Sequence, residues 1–357
     1  MIHIDGSLGE GGGQIVRSSL ALAAVTGRSV TLDHVRARRA KPGLMRQHLT
    51  AVQAAGQVCG AEVQGARLGS PRLVFRPGAV RSGEYMFRIG TAGSTTLVLQ
   101  TVLPALLTAA GRSTIVLDGG THNPLAPPYE FLARAYLPLL ARLGPQVAAT
   151  LHRPGFFPAG QGRITATIEP SARLGRLELC HRGALRARRV RALIARLPRH
   201  IAQRECQTIA AATGWDESCF EIVPIADAPG PGNAVSIELQ FEHVTEVFTG
   251  FGQRGVPAEH VARQALDSAQ RYLDADVPVG EQLADQLLLP LGLGAHQGSG
   301  GGMFRTLPLS LHSQTQIQVL KRFLEIRIEV QETAGGVLVR VEPGGQPHAA
   351  SDASHPA

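Results

Sequence analysis

Near the start of the chain, residues Asp5 to Arg17 read DGSLGEGGGQIVR, with four glycines gathered around one carboxylate, Glu10. An apolar start, Met1 to Ile4, precedes them and an apolar run begins at Ile15. That is the order of a strand, a turn and a helix N-terminus. Glycine lets backbone approach a ligand closely and accept positive φ, and the free N–H groups of a first helical turn attract anions. A carboxylate beside a phosphate repels it unless a cation bridges them. The pattern therefore points to nucleotide phosphates with a divalent metal at Glu10; the other reading is a tight turn with an exposed Glu. Two familiar glycine motifs are excluded. Gln14 stands where a dinucleotide fingerprint needs a small residue, and no glycine run ends in Gly-Lys-Ser/Thr.

The chain has two lysines, Lys41 in AKPG and Lys321 in LKRF, and neither lies in a Lys-x-Asp-Gly setting. If a nucleotide is activated covalently, another nucleophile has to do it. His312, in LPLSLHSQTQIQVLKRF, precedes apolar positions at Ile317, Leu320 and Phe323, and so sits at or just before a helix start. A lone His there is ordinarily a polar capping residue, yet a neutral imidazole can also attack at physiological pH. Arg36, Arg38, Arg39, Lys41 and Arg46 crowd five cations into eleven residues, followed by Gln47 and His48. The cluster is either a solvated basic face or a phosphate cradle, since arginine grips phosphate bidentately. Asp285, followed by Gln286, is an acid on a helix otherwise made of leucines. It is either a remnant of a helix cap or a buried functional group.

The elements that must position these residues repeat. From Met1 to about Pro77 the pattern is strand, helix, strand, helix, strand, strand, with helices at Gly12 to Val25 and after Pro42-Gly43. The same order recurs from Tyr85 to Glu169, with helices running from Ser94 to Leu107 and from Pro128 to Leu143. A third copy starts at Leu177 to Cys180, breaks off, and resumes at Val279 with a helix through Leu291. A strand near Met303, a helix from His312 to Phe323 and two strands complete it. The expected fold class is α/β of α+β type: three βαβαββ repeats in a large domain, with a smaller α/β domain inserted in the third. The large domain is assigned residues 1–181 and 279–343. The inserted domain is 182–278, opening on an arginine-dense strand, and 344–357 is a disordered tail.

With 357 residues, 44% of them hydrophobic, the chain is long enough for two domains. A net charge of +7, almost all from arginine, favours a polyanionic partner without establishing one. Cys59, Cys180, Cys206 and Cys219 are widely spaced and contain no C-x-x-C pair, so they read as free thiols in a reducing compartment. The longest apolar stretch, Thr95 to Ala110, is broken by Gln100 and Pro104 and is too short to span a bilayer. No basic region precedes the apolar Ser18 to Ala24. A cytoplasmic protein is expected.

DGSLGEGGGQIVR resembles the amino-terminal signature of the RNA 3′-terminal phosphate cyclase family, and RARRAKPGLMRQHL resembles its second motif. The string GEQLADQL is similar to that family's GEYLADQL, with Gln282 in place of the aromatic. His312, Thr315 and Gln316 follow its His-x-x-Thr-Asn pattern, with Gln316 in place of Asn. The resemblance runs from Ile4 to about Val341. It implies that His312 is the nucleophile that takes AMP from ATP, and that Glu10 serves a divalent metal, Mg2+ or Mn2+. Gln100, Pro127, Phe131, Gln282, Asp285 and Gln286 fall to the ATP, with Pro127 and Phe131 helping to form the adenine slot. Arg17, Arg36, Arg39, Arg46, Gln47 and His48 fall to phosphate and RNA. Gly298 to Gly302, GSGGG, reads as a loop over the nucleotide.

The implied partner is RNA with a 3′-phosphate end, converted to a 2′,3′-cyclic phosphate through a histidine–AMP intermediate and an RNA-adenylate anhydride. No membrane is expected, and the oligomeric state stays open, a homodimer being one alternative. A non-catalytic ribosome-assembly relative of the same fold is expected to lack the nucleophile, so His312 argues against it. An enolpyruvyl transferase would share the repeats but would have no use for the insert or for His312.

Overall fold

The computed structural model describes residues 1–345, so the tail expected at 344–357 lies outside the described residues from residue 346 onward. The chain begins with β1 (Ile2–Asp5), α1 (Gly13–Thr26), β2 (Val30–Asp33), α2 (Arg46–Cys59), β3 (Glu62–Gln64) and β4 (Leu73–Arg76). β1 and β2 are parallel, as a strand–helix–strand crossover requires, and β4 and β3 add antiparallel in the order β1-β2-β4-β3.

The second unit has β5 (Glu84–Arg88), α3 (Thr95–Leu106), β6 (Ser113–Gly119), a broken helix over 129–141, β7 (Gln146–Arg153) and β8 (Gly162–Glu169). Its order, β5-β6-β8-β7, and its strand directions reproduce the first. The single helix expected from Pro128 to Leu143 is instead α4 (Tyr129–Phe131), a π turn (Leu132–Tyr136) and α5 (Leu137–Ala141). Pro138 has no N–H to continue the i→i−4 ladder, and the Leu137 N–H donates five residues back, to the Leu132 carbonyl.

The third unit opens with β9 (Arg176–Leu179) and is interrupted by β10 (Leu185–Ala195), α6 (His200–Thr213), β11 (Phe220–Ile225), β12 (Gly232–Phe241), β13 (Thr245–Phe251) and α7 (Ala258–Ala275). It resumes with α8 (Glu281–His296), β14 (Gly301–Thr306), α9 (Leu311–Phe323), β15 (Ile326–Thr333) and β16 (Gly336–Pro343). The order β9-β14-β16-β15 repeats the pattern a third time. The interrupting segment makes its own sheet, β11-β10-β12-β13. The fold is therefore the threefold βαβαββ architecture with an α/β insertion in the third copy.

Gly298 to Gly300 form the turn between α8 and β14. Gly301 and Gly302 begin β14 and pair with Arg176 and Leu177 of β9. A Cβ on Gly302 would collide with the Leu177 carbonyl, so glycine is needed for the strands to approach. At the centre, α1 packs against α2, α3 and α9. Ile15, Val16, Leu20 and Leu22 are essentially without solvent contact, the signature of a helix enclosed on several sides. No helix among the described residues is long and apolar enough to cross a membrane.

Candidate active site

Helix α1 points Gln14, Arg17 and Ser18 to one side, since positions i, i+3 and i+4 share a helical face. Opposite them stand Asp285, Gln286 and Leu289 of α8 and His312 and Gln316 of α9. Gln100 and Pro104 of α3 and Tyr136 of the π turn complete one pocket. The first and third repeats thus supply most of it, and the second closes one wall.

His312 is the second residue of α9, because the Ser310 hydroxyl accepts the Ser313 N–H at 3.2 Å and caps the helix just ahead of it. Its Nδ1 lies 2.8 Å from Asp285 Oδ1, and its Nε2 lies 3.6 Å from Glu10 Oε2. Asp285 is held in turn by the Gln14 Nε2 donor at 2.7 Å and the Gln286 Nε2 donor at 2.9 Å. A carboxylate accepts only, so in the neutral ring Nδ1 carries the proton and the lone pair is left on Nε2. Nε2 is on the exposed side: the His312 side chain is 36% accessible, Asp285 only 8%.

The glycine loop is clamped between α9 and the arginine loop. Thr315 Oγ1 accepts the Glu10 N–H at 3.3 Å, and Arg38 Nη1 donates to the Gly9 carbonyl at 2.8 Å. Arg39 pairs with Glu10 Oε1. Gly9 has φ +51°, and the Thr315 side chain occupies the place a Cβ would take. The glycines thus admit protein neighbours.

Electrostatics follow from crowding. Burial, then the charges of Arg17, Arg36 and Arg39, pull the His48 imidazole down to about 3. His48 is therefore neutral at physiological pH. Its Nδ1 accepts the Met45 N–H at 3.3 Å, so Nε2 carries the proton and is a donor beside Gly13. Burial lowers Arg17 to about 10, with Asp285 opposing the shift. Burial and the Asp285 charge together push the Tyr136 phenol up. Two buried amide atoms at the pocket have no hydrogen-bond partner among the described residues, Gln100 Nε2 and Gln14 Oε1. Such orphans are costly unless a ligand completes them.

Of the residues singled out from sequence, Arg17, Gln100, Asp285, Gln286 and His312 converge on the pocket, and Glu10, Arg39 and His48 adjoin it. Others do not converge. Phe131 is wholly buried in the core, its ring enclosed by apolar neighbours, so it has no surface to offer a base. Pro127 is half-buried, and its carbonyl accepts the Thr96 hydroxyl at 2.7 Å. Gln282, in the first turn of α8, is exposed outside the pocket. Arg36 is spent on its own loop, donating to the Lys41 and Gly43 carbonyls at 2.7 and 2.8 Å. The Gln47 side-chain oxygen accepts the Ser94 N–H at 2.7 Å, tying α2 to the start of α3. Arg46 is exposed at the first residue of α2.

Sequence reasoning missed Gln14, Ser18 and Tyr136. The signal for the first two was readable: polar side chains at i, i+3 and i+4 on an otherwise apolar helix.

No three His, Cys, Asp or Glu side chains among the described residues cluster as a metal site. Glu10, half-buried at the loop tip, is the one carboxylate among the described residues in reach of His312 besides the fully engaged Asp285. A single carboxylate suits a hard cation that takes its remaining ligands from phosphates and water, as Mg2+ commonly does. Glu10 therefore fits such an ion.

The family profile described as RNA 3′-terminal phosphate cyclase matches residues 8–330. A protein of Ralstonia nicotianae named RNA 3′-terminal phosphate cyclase is 50% identical over 343 residues, 96% of this chain and 96% of that protein. One of Koribacter versatilis with the same name is 48% identical over 332 residues, covering 93% of this chain and 92% of the relative.

Proposed function

The chain belongs to the RNA 3′-terminal phosphate cyclase family, and from that premise we propose that it uses ATP to turn an RNA 3′-terminal phosphate into a 2′,3′-cyclic phosphate. The observation that carries the reading is the Asp285–His312 contact at 2.8 Å, which leaves Nε2 free on the side of the glycine loop.

The Nε2 lone pair attacks the α-phosphorus of ATP. The bond from that phosphorus to the bridging oxygen breaks, pyrophosphate leaves, and a phosphoramidate forms. Positive charge growing on the ring is met by Asp285 through the Nδ1 proton, so the imidazole needs no other proton acceptor. Arg17 and the neutral His48 donor offer hydrogen bonds to phosphate oxygens near the helix α1 N-terminus. Gln100 and Gln14 offer their unpaired amide atoms to the nucleotide. Pro127 and Gln282 are assigned to adenine from outside the pocket, with Phe131 acting through the packing of its helix. A divalent cation, Mg2+ or Mn2+, would be held at Glu10 and by phosphate oxygens, where it would neutralise charge on the pyrophosphate.

In the second step an oxygen of the RNA 3′-phosphate attacks the phosphorus, the P–N bond breaks, and the ring returns to its neutral form. The RNA end then carries AMP in an anhydride. The 2′-hydroxyl attacks the activated 3′-phosphorus, its proton passes to water, and AMP leaves. The hydroxyl is tethered beside its target, so proximity supplies much of this step. Arg39 has to exchange Glu10 for phosphate to take part, and exposed Arg46 is available without rearrangement. Arg36 and Gln47 act by shaping the loop. We further assign residues 1–181 and 279–343 to a catalytic domain and 182–278 to a second domain, and the protein to the cytoplasm.

Incubation with α-labelled ATP and a divalent metal tests the reading. Protein-bound label that acid removes and alkali does not is the expected result, and His312→Ala should abolish it. Label persisting in His312→Ala overturns the assignment of the nucleophile.

A further inference from the structure

Away from that pocket, a cleft of about 1020 Å3 opens between the loops that follow β6 and β7 and one face of the inserted sheet. Leu193, Ala195 and Ala234 of that face form a small apolar cluster with Phe156, separate from the main core. Phe157 stands at the cleft with 69% of its surface exposed, while Ile201 and Phe251 form part of its apolar wall. Gln253 and Arg254, both exposed, supply donors at the rim, and no carboxylate among the described residues lines the cleft.

We propose that this cleft holds unpaired bases of the RNA substrate upstream of the reacting 3′ end, with one base stacked on Phe157 and the backbone met by Arg254. The proposal rests on the cyclase reading for the identity of the RNA. Three observations select single-stranded RNA as the occupant. An exposed aromatic over an apolar slot matches a nucleobase, whose faces stack without regard to sequence. The rim carries unpaired cations: Arg196 and Arg199, which flank Leu197 of the cleft, are exposed and form no ion pair with the described residues, while the nearby Glu259 is paired with Arg204. The cleft is also joined to the arginine loop by direct contacts. Gln47, next to exposed Arg46, holds the Ser94 N–H; Ser94 bridges to Gly120; and Asn123, a cleft residue, donates to the Ala92 carbonyl. These contacts make the backbone beside Arg46 continuous with the loops that line the cleft.

The test compares a 3′-phosphorylated dodecauridylate with a 3′-phosphorylated dinucleotide too short to reach the cleft. Phe157→Ala should lower kcat/KM for the long RNA about 10-fold, through KM, as the loss of one base stack implies. Phe157→Trp should restore it, and Arg254→Ala should flatten its salt dependence. The dinucleotide reaction and self-adenylylation should be unchanged by all three, because none of these side chains supports the core. Dodecamers carrying 5-iodouridine at successive positions should photo-crosslink to the Phe157 peptide from internal positions only.

Equal effects on both RNAs, no effect on either, or crosslinks confined elsewhere would overturn the proposal. So would Phe157→Ala abolishing self-association while leaving RNA use intact, which would mark the cleft as a contact between two copies. If the wild-type protein cyclises neither RNA, the cyclase reading falls, and the crosslink position still decides whether the cleft binds RNA.

Discussion

Asp285→Asn is the sharpest probe of the active-site geometry, because it removes a charge and little else. The carboxylate accepts from His312 Nδ1 at 2.8 Å and Gln14 Nε2 at 2.7 Å on one oxygen, and from Gln286 Nε2 at 2.9 Å on the other. An asparagine can keep its oxygen on the first pair, and the half-buried Gln286 can turn its own amide oxygen toward the new NH2. The stability cost should therefore be about 1 kcal/mol, which for a chain of 357 residues means a Tm lower by roughly 1–2 °C.

The effect on the first chemical step is larger. A full charge about 4 Å from the charge growing on the ring is worth at most ~4 kcal/mol in a partly solvated site. The lower bound is the ~1.5 kcal/mol by which a hydrogen bond to a charged group contributes. At ~1.36 kcal/mol per decade these bracket losses of about 10-fold and 1000-fold, with about 100-fold expected. Single-turnover transfer of α-labelled AMP from ATP to protein measures this directly, with Tm recorded on the same sample. Transfer within about threefold of wild type would refute the role given to Asp285. A Tm loss well beyond the small shift expected would mean that the carboxylate serves the fold.

Glu10→Ala should leave Tm within a few degrees, since a partly exposed ion pair with Arg39 contributes under ~1 kcal/mol, while adenylylation at limiting Mg2+ falls strongly; a large Tm loss would support the structural reading of the loop. Arg46→Ala should weaken RNA binding with its salt slope reduced by about 0.7, without changing Tm, whereas Arg36→Ala should lower Tm because two carbonyl acceptors lose their donor; salt titrations and melts separate them. His48, at about 3 folded against 6.5 in the reference state, binds a proton more readily when unfolded. Its stabilising contribution is therefore present above pH 6.5 and is lost as pH falls toward 3, and His48→Gln should flatten the acid limb of a Tm–pH curve. Glu246, buried under the Gly280 N–H and pushed up to about 8, runs the other way. Its carboxyl is neutral in the fold and ionises on unfolding above pH 4.5, so stability falls as pH rises from 4.5 toward 8, and Glu246→Gln should raise Tm most at the alkaline end.

The threefold architecture was legible because each repeat restates it: the same order of strands and helices, the same glycine or serine punctuation at helix starts, and an interruption of wrong length in the third. What failed was local. The helix over 129–141 reads as continuous by periodicity, and only the missing N–H of Pro138 explains the π turn that aims Tyr136 at the pocket. Phe131 lies just ahead of that turn, and neither its aromatic type nor its spacing tells which way the ring goes; packing put it in the core.

The candidate site was half legible for a related reason. Glu10, His312 and Asp285 each stand out against their own neighbours, a carboxylate among glycines, a histidine before a helix, an acid among leucines. Their partnership does not, because Gln14 and Asp285 meet across 271 residues of sequence. The polar stripe of α1 closes that gap. A helix enclosed by three others cannot leave Gln14 and Ser18 to water, so each must be answered by another repeat or by a ligand, and half-buried Arg17 faces the pocket beside them. Ser18 is answered by Gln316 at 2.6 Å and the Gln14 nitrogen by Asp285. The Gln14 oxygen is left buried without a partner, Arg17 makes no hydrogen bond with the described residues, and Gln100 faces them with an orphaned donor of its own. A cation, an acceptor and a donor unsatisfied around one histidine suit the phosphates and polar edges of a nucleotide, and that is the physical ground for the proposal that ATP binds in this pocket.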